Sequence, residues 1–372
     1  MLGGESGQEK SMTQTQCQRC AMDKSAEEIV FNDEGVCNFC LQAKKALKED
    51  SEERPNFLKR LKKIKKDGRY KKYDCLIGLS GGADSSTALH YAVMWGLRPL
   101  CFSVDTGYNK KEADENILRM VEKLKVPFER RNIDLDKFRE LQAAFLKSGV
   151  RNIEIPTDHV LMAMTYQVAE ENNIKWIISG GNVATESVMP PSWGYNARDL
   201  RHIKDIYRKM TGKKLEGLPM CSLLGWNYYK WICGLKTFYI LDYLKYNRKN
   251  SESDLNKEYG YVSTGEKHEE NIFTEWFQNF YLFEKFGIDK RKAHYSSLIN
   301  AGQMTRQEAM EKLQNCPIYP KLGIERKAIS YERHSHYEYK TNEKLWKFIA
   351  NIIRALSRPS RIMTKIGKHI KG

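Results

Sequence analysis

Residues 74–93 read DCLIGLSGGADSSTALHYAV. A short apolar run ends at Ser80, two glycines, an aspartate and two serines follow, and an apolar-periodic stretch begins at once. That is the pattern of a buried strand, a tight turn and a helix. A strand with no polar alternation is buried on both faces, so helices must cover both sides of a parallel sheet. Three further runs read as strands: RPLCFSVDTG (98–107), PFERRNID (127–134) and IKWIISGG (174–181). Between them KEADENILRMVEKLK, DKFRELQAAFLKSG and TDHVLMAMTYQVAEENN read as helices, the last expected to be capped by Thr157 or Asp158. The expected class is therefore α/β with a parallel sheet. After roughly residue 195 no further strand is expected. The aromatic-rich segments NYYKWICGLKTFYILDYLKY and NIFTEWFQNFYLFEKFG read as helix.

Ligands of an open parallel sheet bind beyond the carboxyl ends of its strands. Gly81 and Gly82 lie at such an end and let backbone N–H groups turn inward around an anion. The helix starting near Asp84 adds free N–H groups and a partial positive charge. Ser80 and Ser85 add hydroxyls. The turn is a phosphate cradle, but neither G-x-x-x-x-G-K-[ST] nor G-x-G-x-x-G is present. S-G-G-x-D-S after a buried strand resembles the pyrophosphatase loop of ATP-pyrophosphatases, whose sheet is adenine-nucleotide alpha-hydrolase-like. These enzymes cut ATP between the α- and β-phosphates. The resemblance implies ATP and Mg2+ as cofactors, with Asp84 a direct or water-mediated magnesium ligand. It also implies contacts to ATP from the backbone near Ser103 and from Gly180, Gly181 and Asn182.

Nine cysteines are an odd number for a disulfide framework. Four of them, Cys17, Cys20, Cys37 and Cys40, form C-x2-C-x16-C-x2-C, with Gly35 at the turn before the second pair. Two tight knuckles bring four thiolates within tetrahedral reach of one Zn2+, and with no open position the site reads as structural. Cys75 and Cys101 fall in expected strands and read as inert; Cys221, Cys233 and Cys316 are scattered. No apolar run is long enough to span a membrane, and the first residues lack the apolar core of a secretory signal, so the cytoplasm is the expected location. The net charge of +15 favours anionic partners, and the basic residues cluster at 57–73 and after Leu345.

Among pyrophosphatase-loop enzymes, glutamine-dependent asparagine synthetases carry a glutaminase with an N-terminal cysteine. Here Leu2 follows Met1 and the first cysteine is Cys17, so if the chain uses ammonia, a partner is expected to supply it. Transfer-RNA thiolases are the alternative reading, since some carry zinc knuckles and a basic surface suits RNA. Several of them need paired cysteines in the catalytic core, whereas both pairs here lie within the first 40 residues. Cys221 and Cys233 would serve only if the fold united them.

From CQRCAMDKSAEEIVFNDEGVCNFC through IGLSGGADSS and SGGN to GEKHEENIFTEWFQNFYLFEKFGIDKRKAHYSSLINAGQMTRQEA (265–309), the chain more closely resembles the N-acetyl sugar amidotransferases of the WbpG/PseA type. Asn271 is one departure, at a position where serine is more usual. The resemblance implies conversion of an acetamido to an acetamidino group on a nucleotide-linked sugar, for bacterial lipopolysaccharide or flagellin glycans. It implies O-adenylylation by ATP and ammonia from a partner glutaminase with a cyclase-like subunit; nucleic acid is not an expected partner. Lys267, His268 and Glu270 join Asp84 as candidate catalytic residues, and Arg291, Lys292 and His294 as candidate substrate contacts. The expected organisation is a disordered start or tag (1–16), a zinc-knuckle module (17–45), the ATP-pyrophosphatase domain (46–195), a mostly helical substrate and partner region (196–345) and a basic C-terminal helix and tail (346–372). The tail carries Ile349, Ile352 and Ile353 ahead of Arg358, Arg361 and Lys365, suited to an anionic membrane surface or an acidic partner.

Overall fold

The computed structural model describes residues 14–322, 324 and 329–348. Most of the expected disordered start, and the basic tail from Ile349 onward, lie outside the described residues. Five parallel strands form one sheet: β1 (Cys75–Gly78), β2 (Pro99–Asp105), β3 (Phe128–Asn132), β4 (Trp176–Ser179) and β5 (Lys236–Tyr239), in the order β3-β2-β1-β4-β5. The chain moves outward from β1 to β3 and then crosses back to β4. The strand order therefore reverses between β1 and β4, and that is where an open α/β sheet presents a crevice. The phosphate loop leaves β1 at this point.

Before the sheet come α1 (Asn38–Glu53) and α2 (Phe57–Gly68), divided by a 3-10 turn that holds Pro55. Helices α3 (Ala83–Met94), α4 (Lys111–Leu124), α5 (Leu135–Ser148) and α6 (Ile155–Glu171) alternate with the strands. Helix α5 is bounded as its sequence dictates: Asp134 accepts a bond from the Lys137 N–H, and Gly149 closes the far end at φ +70°. Helix α6 begins earlier than Thr157. Pro156 occupies its first turn and Glu154 its cap position, because proline is pre-set for a helix start and needs no N–H partner there.

Past residue 195 the sequence expectation fails in one respect. Strand β5 extends the sheet, pairing with β4 through Ile177↔Thr237 and Ile178↔Phe238. Only Phe238 of its four residues is buried, so an edge strand this short leaves almost no alternation in the sequence. Helices α7 (Val183–Glu186), α8 (Leu200–Thr211), α9 (Leu223–Asn227) and α10 (Arg248–Tyr259) surround it. The aromatic segment after Asn271 forms α11 (Ile272–Trp276), a π turn (Phe277–Tyr281) and α12 (Leu282–Phe286); α13 (Arg291–Asn300) and α14 (Arg306–Leu313) follow.

Two cores pack on the two faces of the sheet. Cys75, Ile77 and Cys101 meet Ala88 and Leu89 of α3 and Ile117 of α4, while Leu76, Leu100 and Ile177 meet Ala163 and Val168 of α6. A third core joins the four knuckle cysteines to Phe138 and Phe145 of α5, Phe273 of α11 and Tyr281 of the π turn. Each large side chain buried there contributes about 1.5–3 kcal/mol. The cysteine module is thereby welded to the C-terminal helices. Among the described residues no helix is long and apolar enough to cross a membrane.

Candidate functional site

The loop after β1 is shaped by what its glycines lack. Gly81 has φ +78°, and a Cβ there would lie 2.2 Å from the Ala113 carbonyl oxygen. A Cβ on Gly180, at the end of β4, would lie 2.6–2.8 Å from the backbone of Asp84 and Ser85. The end of β4 thus closes on the start of α3, and the loop after β1 on the first turn of α4, with no side chain between them. The hydroxyls of Ser80 and Ser85 lie 3.2 Å apart, the Gly82 N–H donates to Ser80 Oγ at 3.3 Å, and Ser85 Oγ donates to the Gly82 carbonyl at 3.2 Å.

Over this loop lies the segment 262–272. Buried Asn116 of α4 fastens it: its Nδ2 donates to the carbonyls of Gly81 at 3.2 Å and Val262 at 2.8 Å, and its Oδ1 accepts from the Val262 N–H at 2.9 Å. The Lys110 N–H donates to the Glu270 carbonyl at 2.9 Å, and the Ile272 N–H to that of Tyr108 at 2.8 Å. So held, the segment lowers Lys267 into the loop. Its Nζ lies 2.5 Å from Asp84 Oδ2, 2.7 Å from Thr185 Oγ1 and 2.9 Å from Glu186 Oε1. Tyr246 donates to the other Asp84 oxygen. Burial alone would lower the Lys267 pKa, but the charges of Asp84 and Glu186 outweigh it and hold it above the ordinary lysine range. The next residue, His268, has φ +65°. Burial, then Lys267, Lys290 and Arg248, keep its ring neutral, well below the ordinary histidine pKa. Glu270 goes the other way: burial raises its pKa against a hydrogen bond from Ser80.

Two cavities meet here. The smaller, 260 Å³, is walled by the phosphate loop, Gly180, Gly181, Glu186, Arg248 and Lys267. The larger, 410 Å³, runs along the ends of β1 and β2 toward α6 and α11. Ser80, His268 and Glu270 line both. The first is a pocket of N–H groups, hydroxyls and paired charges, suited to phosphate. The second has an apolar wall of Phe102, Val104 and Leu161, suited to a purine.

Of the residues singled out in sequence, Asp84, Lys267, His268 and Glu270 come together at this junction with Ser80, Gly82 and Ser85. Gly81 shapes the turn. Ser103 lines the larger cavity, its buried hydroxyl without a hydrogen-bond partner among the described residues. Gly180 and Gly181 line the smaller one. Asn182 lines neither; it caps α7, accepting from the Thr185 N–H at 2.9 Å. Asn271 caps α11, accepting from the N–H groups of Phe273 and Thr274, a task serine also performs.

Arg291 and Lys292 do not face the cleft. Arg291 is held by Asp289 at 2.7 Å and by the Asn315 carbonyl, and Lys292 pairs with Asp23 of the cysteine module. His294 lines a third cavity, of 370 Å³, which shares Arg248 and Lys267 with the smaller one. Among the site residues that escaped the sequence reading are Glu186, Arg248 and Lys290. Glu186 had a signal, since a helix capped by Asn182 brings it into the first turn beside the loop. Cys221 and Cys233 line none of the three cavities.

The sulfurs of Cys17, Cys20, Cys37 and Cys40 all lie within 4.8 Å of one another, with Cys17–Cys40 at 4.0 Å and Cys20–Cys37 at 3.7 Å. A tetrahedral zinc with bonds of about 2.3 Å sets its ligands about 3.8 Å apart, so the four fit that ion. Backbone N–H groups of Arg19, Cys20 and Cys37 point at Cys17 Sγ at 3.3–3.5 Å, and hydrogen bonds from the other three thiols hold Cys17 below the ordinary thiol range. The module docks on α13 and α14: the Ala21 N–H donates to Ser296, Asn300 Nδ2 lies 3.4 Å from Cys40 Sγ, and Arg306 at the start of α14 donates to the carbonyls of Cys17 and Cys20.

Residues 270–353 match a sequence family described as LPS biosynthesis protein WbpG-like, C-terminal domain. A protein of Methanocaldococcus jannaschii, described as uncharacterized, is 29% identical over 176 residues, which are 44% of this chain and 58% of the relative. Among solved structures, the NMN synthetase from Francisella tularensis is 23% identical with a TM-score of 0.28, covering 37% of this chain and 56% of that one. The NH3-dependent NAD synthetase from Campylobacter jejuni, in complex with the nitrate ion, is 16% identical with a TM-score of 0.27, covering 37% and 58%. The chain thus spans a little over half the length of these relatives.

Proposed function

The chain carries a WbpG-like C-terminal domain, and from that premise we propose that it is an ATP-dependent amidotransferase that converts the acetamido group of a nucleotide-linked sugar to an acetamidino group. The observation that carries this reading is the junction at Ser80, His268 and Glu270, where a phosphate pocket opens into a purine-sized cavity. The pyrophosphate of ATP goes into the smaller cavity and the adenosine against β2, so that the α-phosphorus comes to lie at the junction. Asp84 and Glu186 already share one cation, the Lys267 ammonium, and this carboxylate pair fits Mg2+. Magnesium bound there would neutralise the pyrophosphate.

The acetamido oxygen attacks the α-phosphorus, the bond to the bridging oxygen breaks, and pyrophosphate leaves. Lys267 and Arg248 stabilise its charge. Ammonia adds to the carbon of the adenylated imidate, Glu270 accepts the proton released, and AMP departs with the former acetamido oxygen. Burial raises the Glu270 pKa, which makes its carboxylate a stronger proton acceptor than a solvent-exposed one. Neutral His268 is able to donate or accept a hydrogen bond at the α-phosphate without adding charge. Ammonia comes from a partner glutaminase with a cyclase-like subunit, and the product serves a bacterial surface glycan made in the cytoplasm. The four-cysteine cluster holds a structural zinc.

The test is mass spectrometry of an N-acetylated nucleotide sugar incubated with ATP, magnesium and 15N-ammonium. Exchange of oxygen for labelled nitrogen, with release of AMP and pyrophosphate, is expected. Sulfur transfer to tRNA from a persulfide donor, with no nitrogen entering any sugar, would overturn the reading in favour of a thiolase.

A further inference from the structure

The larger cavity has two unlike halves. Beside β1 and β2 it is apolar and faces the strand backbone. At the other end Asn152, Glu154, Asp158, Thr274, Gln278 and Lys290 converge: two amides, two carboxyls, a hydroxyl and an ammonium. Lys290 forms no ion pair among the described residues; its Nζ sits 5.7 Å from the centre of the Phe277 ring. Glu154 is 7% exposed and fixed from both sides, by Thr274 Oγ1 at 2.7 Å and Thr157 Oγ1 at 3.4 Å. Burial raises Glu154 to about 7 and Asp158 to about 6, and it lowers Lys290 against the opposing charges of Asp158 and Glu154.

Displacement at phosphorus proceeds with the attacking and leaving oxygens roughly in line. The leaving pyrophosphate points from the junction into the smaller cavity. The attacking oxygen must then arrive from the opposite side, through the larger one. Its apolar half is taken by adenosine, which leaves the polar half. We propose that this half is the acceptor subsite, built for a hydroxylated ring bearing an acetamido group, and that Lys290 is a specificity-determining residue that donates hydrogen bonds to the acceptor. The proposal rests on the amidotransferase reading and names where its substrate sits.

The test uses the full chain and a panel of UDP-linked N-acetylated hexoses, with acceptor-dependent pyrophosphate release as the readout. Lys290→Met keeps the apolar stem on Phe277 and removes the donors. A hydrogen bond to a charged group contributes about 1.5–3 kcal/mol, which predicts a KM for the acceptor raised about tenfold or more. The Kd of α,β-methylene-ATP, measured by calorimetry, should change less than about threefold, and Lys290→Arg should recover part of the acceptor KM. Unchanged acceptor KM in Lys290→Met overturns the proposal. So does a parallel loss of analogue affinity, which would assign Lys290 to the nucleotide, and so does a panel of which no member elicits release from the wild-type chain. Pyrophosphate release that depends on the sugar and on Lys290, but with no nitrogen transferred, would instead overturn the amidotransferase reading and leave the subsite standing.

Discussion

Asp84 accepts from Lys267 on one oxygen and from Tyr246 on the other, so its removal tests the loop without dismantling it. In Asp84→Ala, Lys267 keeps Glu186 at 2.9 Å and Thr185 at 2.7 Å, and the chain should stay folded. Pyrophosphate release should fall by on the order of a hundredfold or more, read by a coupled pyrophosphate assay with circular dichroism as the folding control. Products of ADP and phosphate in the wild type would contradict the loop assignment. Glu154 makes a different prediction. Burial, with the Asp158 charge, raises it from 4.5 to about 7. The folded chain then binds the extra proton between those values, so stability falls as pH rises through that window. Glu154→Gln keeps an acceptor for Thr274 and should flatten that slope, a difference of at most about 3 kcal/mol across the window in urea titrations. An unchanged slope would show that Glu154 does not titrate there. At this scale the phosphate loop was legible because its chemistry is written in consecutive residues. Lys290 was not. It stands in the run Lys290-Arg291-Lys292, and successive helical residues point in different directions. With no apolar stripe on α13 to set the phase, nothing in the sequence told which of the three faces the cleft.

Helix α13 shows at the element scale what that phase does. Lys292, Ser296 and Asn300 recur every four residues and meet the cysteine module, while His294 and Leu298, on the opposite side, line the third cavity. Helix α11 begins at a cap that also borders the larger cavity, and Asn271 Nδ2 reaches Thr106 Oγ1 at 3.2 Å. Asn271→Ala should cost about 1 kcal/mol of stability, and Asn271→Ser only a few tenths, measured by chemical denaturation. Equal losses in the two variants would mean that capping is not what the residue contributes. The alternating strands and helices through β4 were readable from periodicity, since each buries a face against a known neighbour. Strand β5 was hidden because it lies inside an aromatic run and buries one residue in four. The π turns at Tyr228–Ile232 and Phe277–Tyr281 were hidden too, because an extra residue in a helical turn leaves apolar spacing almost unchanged.

Across the whole molecule, the third core makes the N-terminal cysteines and the C-terminal helices one body. Cys37→Ser combined with Cys40→Ser should abolish zinc binding in metal analysis. It should also unfold residues 17–40, since so short a segment cannot sustain a core without its metal. The loss should spread to α13, which would surrender its contacts from Ala21, Asp23 and Cys40. The phosphate loop, held by Asn116 of α4 and by the close approach of Gly180 after β4, should still bind an ATP analogue. Loss of both together would show that the module supports the entire cleft. The spacing of the cysteines announced the cluster, but no local pattern announced that the partners of a segment near the start lie almost 300 residues away. On the proposed reading, a zinc behind α13 and an acceptor subsite at the start of that helix would link metal supply to sugar modification. On this reading a zinc-starved cell keeps a protein that still grips its fuel but no longer seats what the fuel is spent on. A shortage of a trace element would then be written, molecule by molecule, into the sugars of the cell surface.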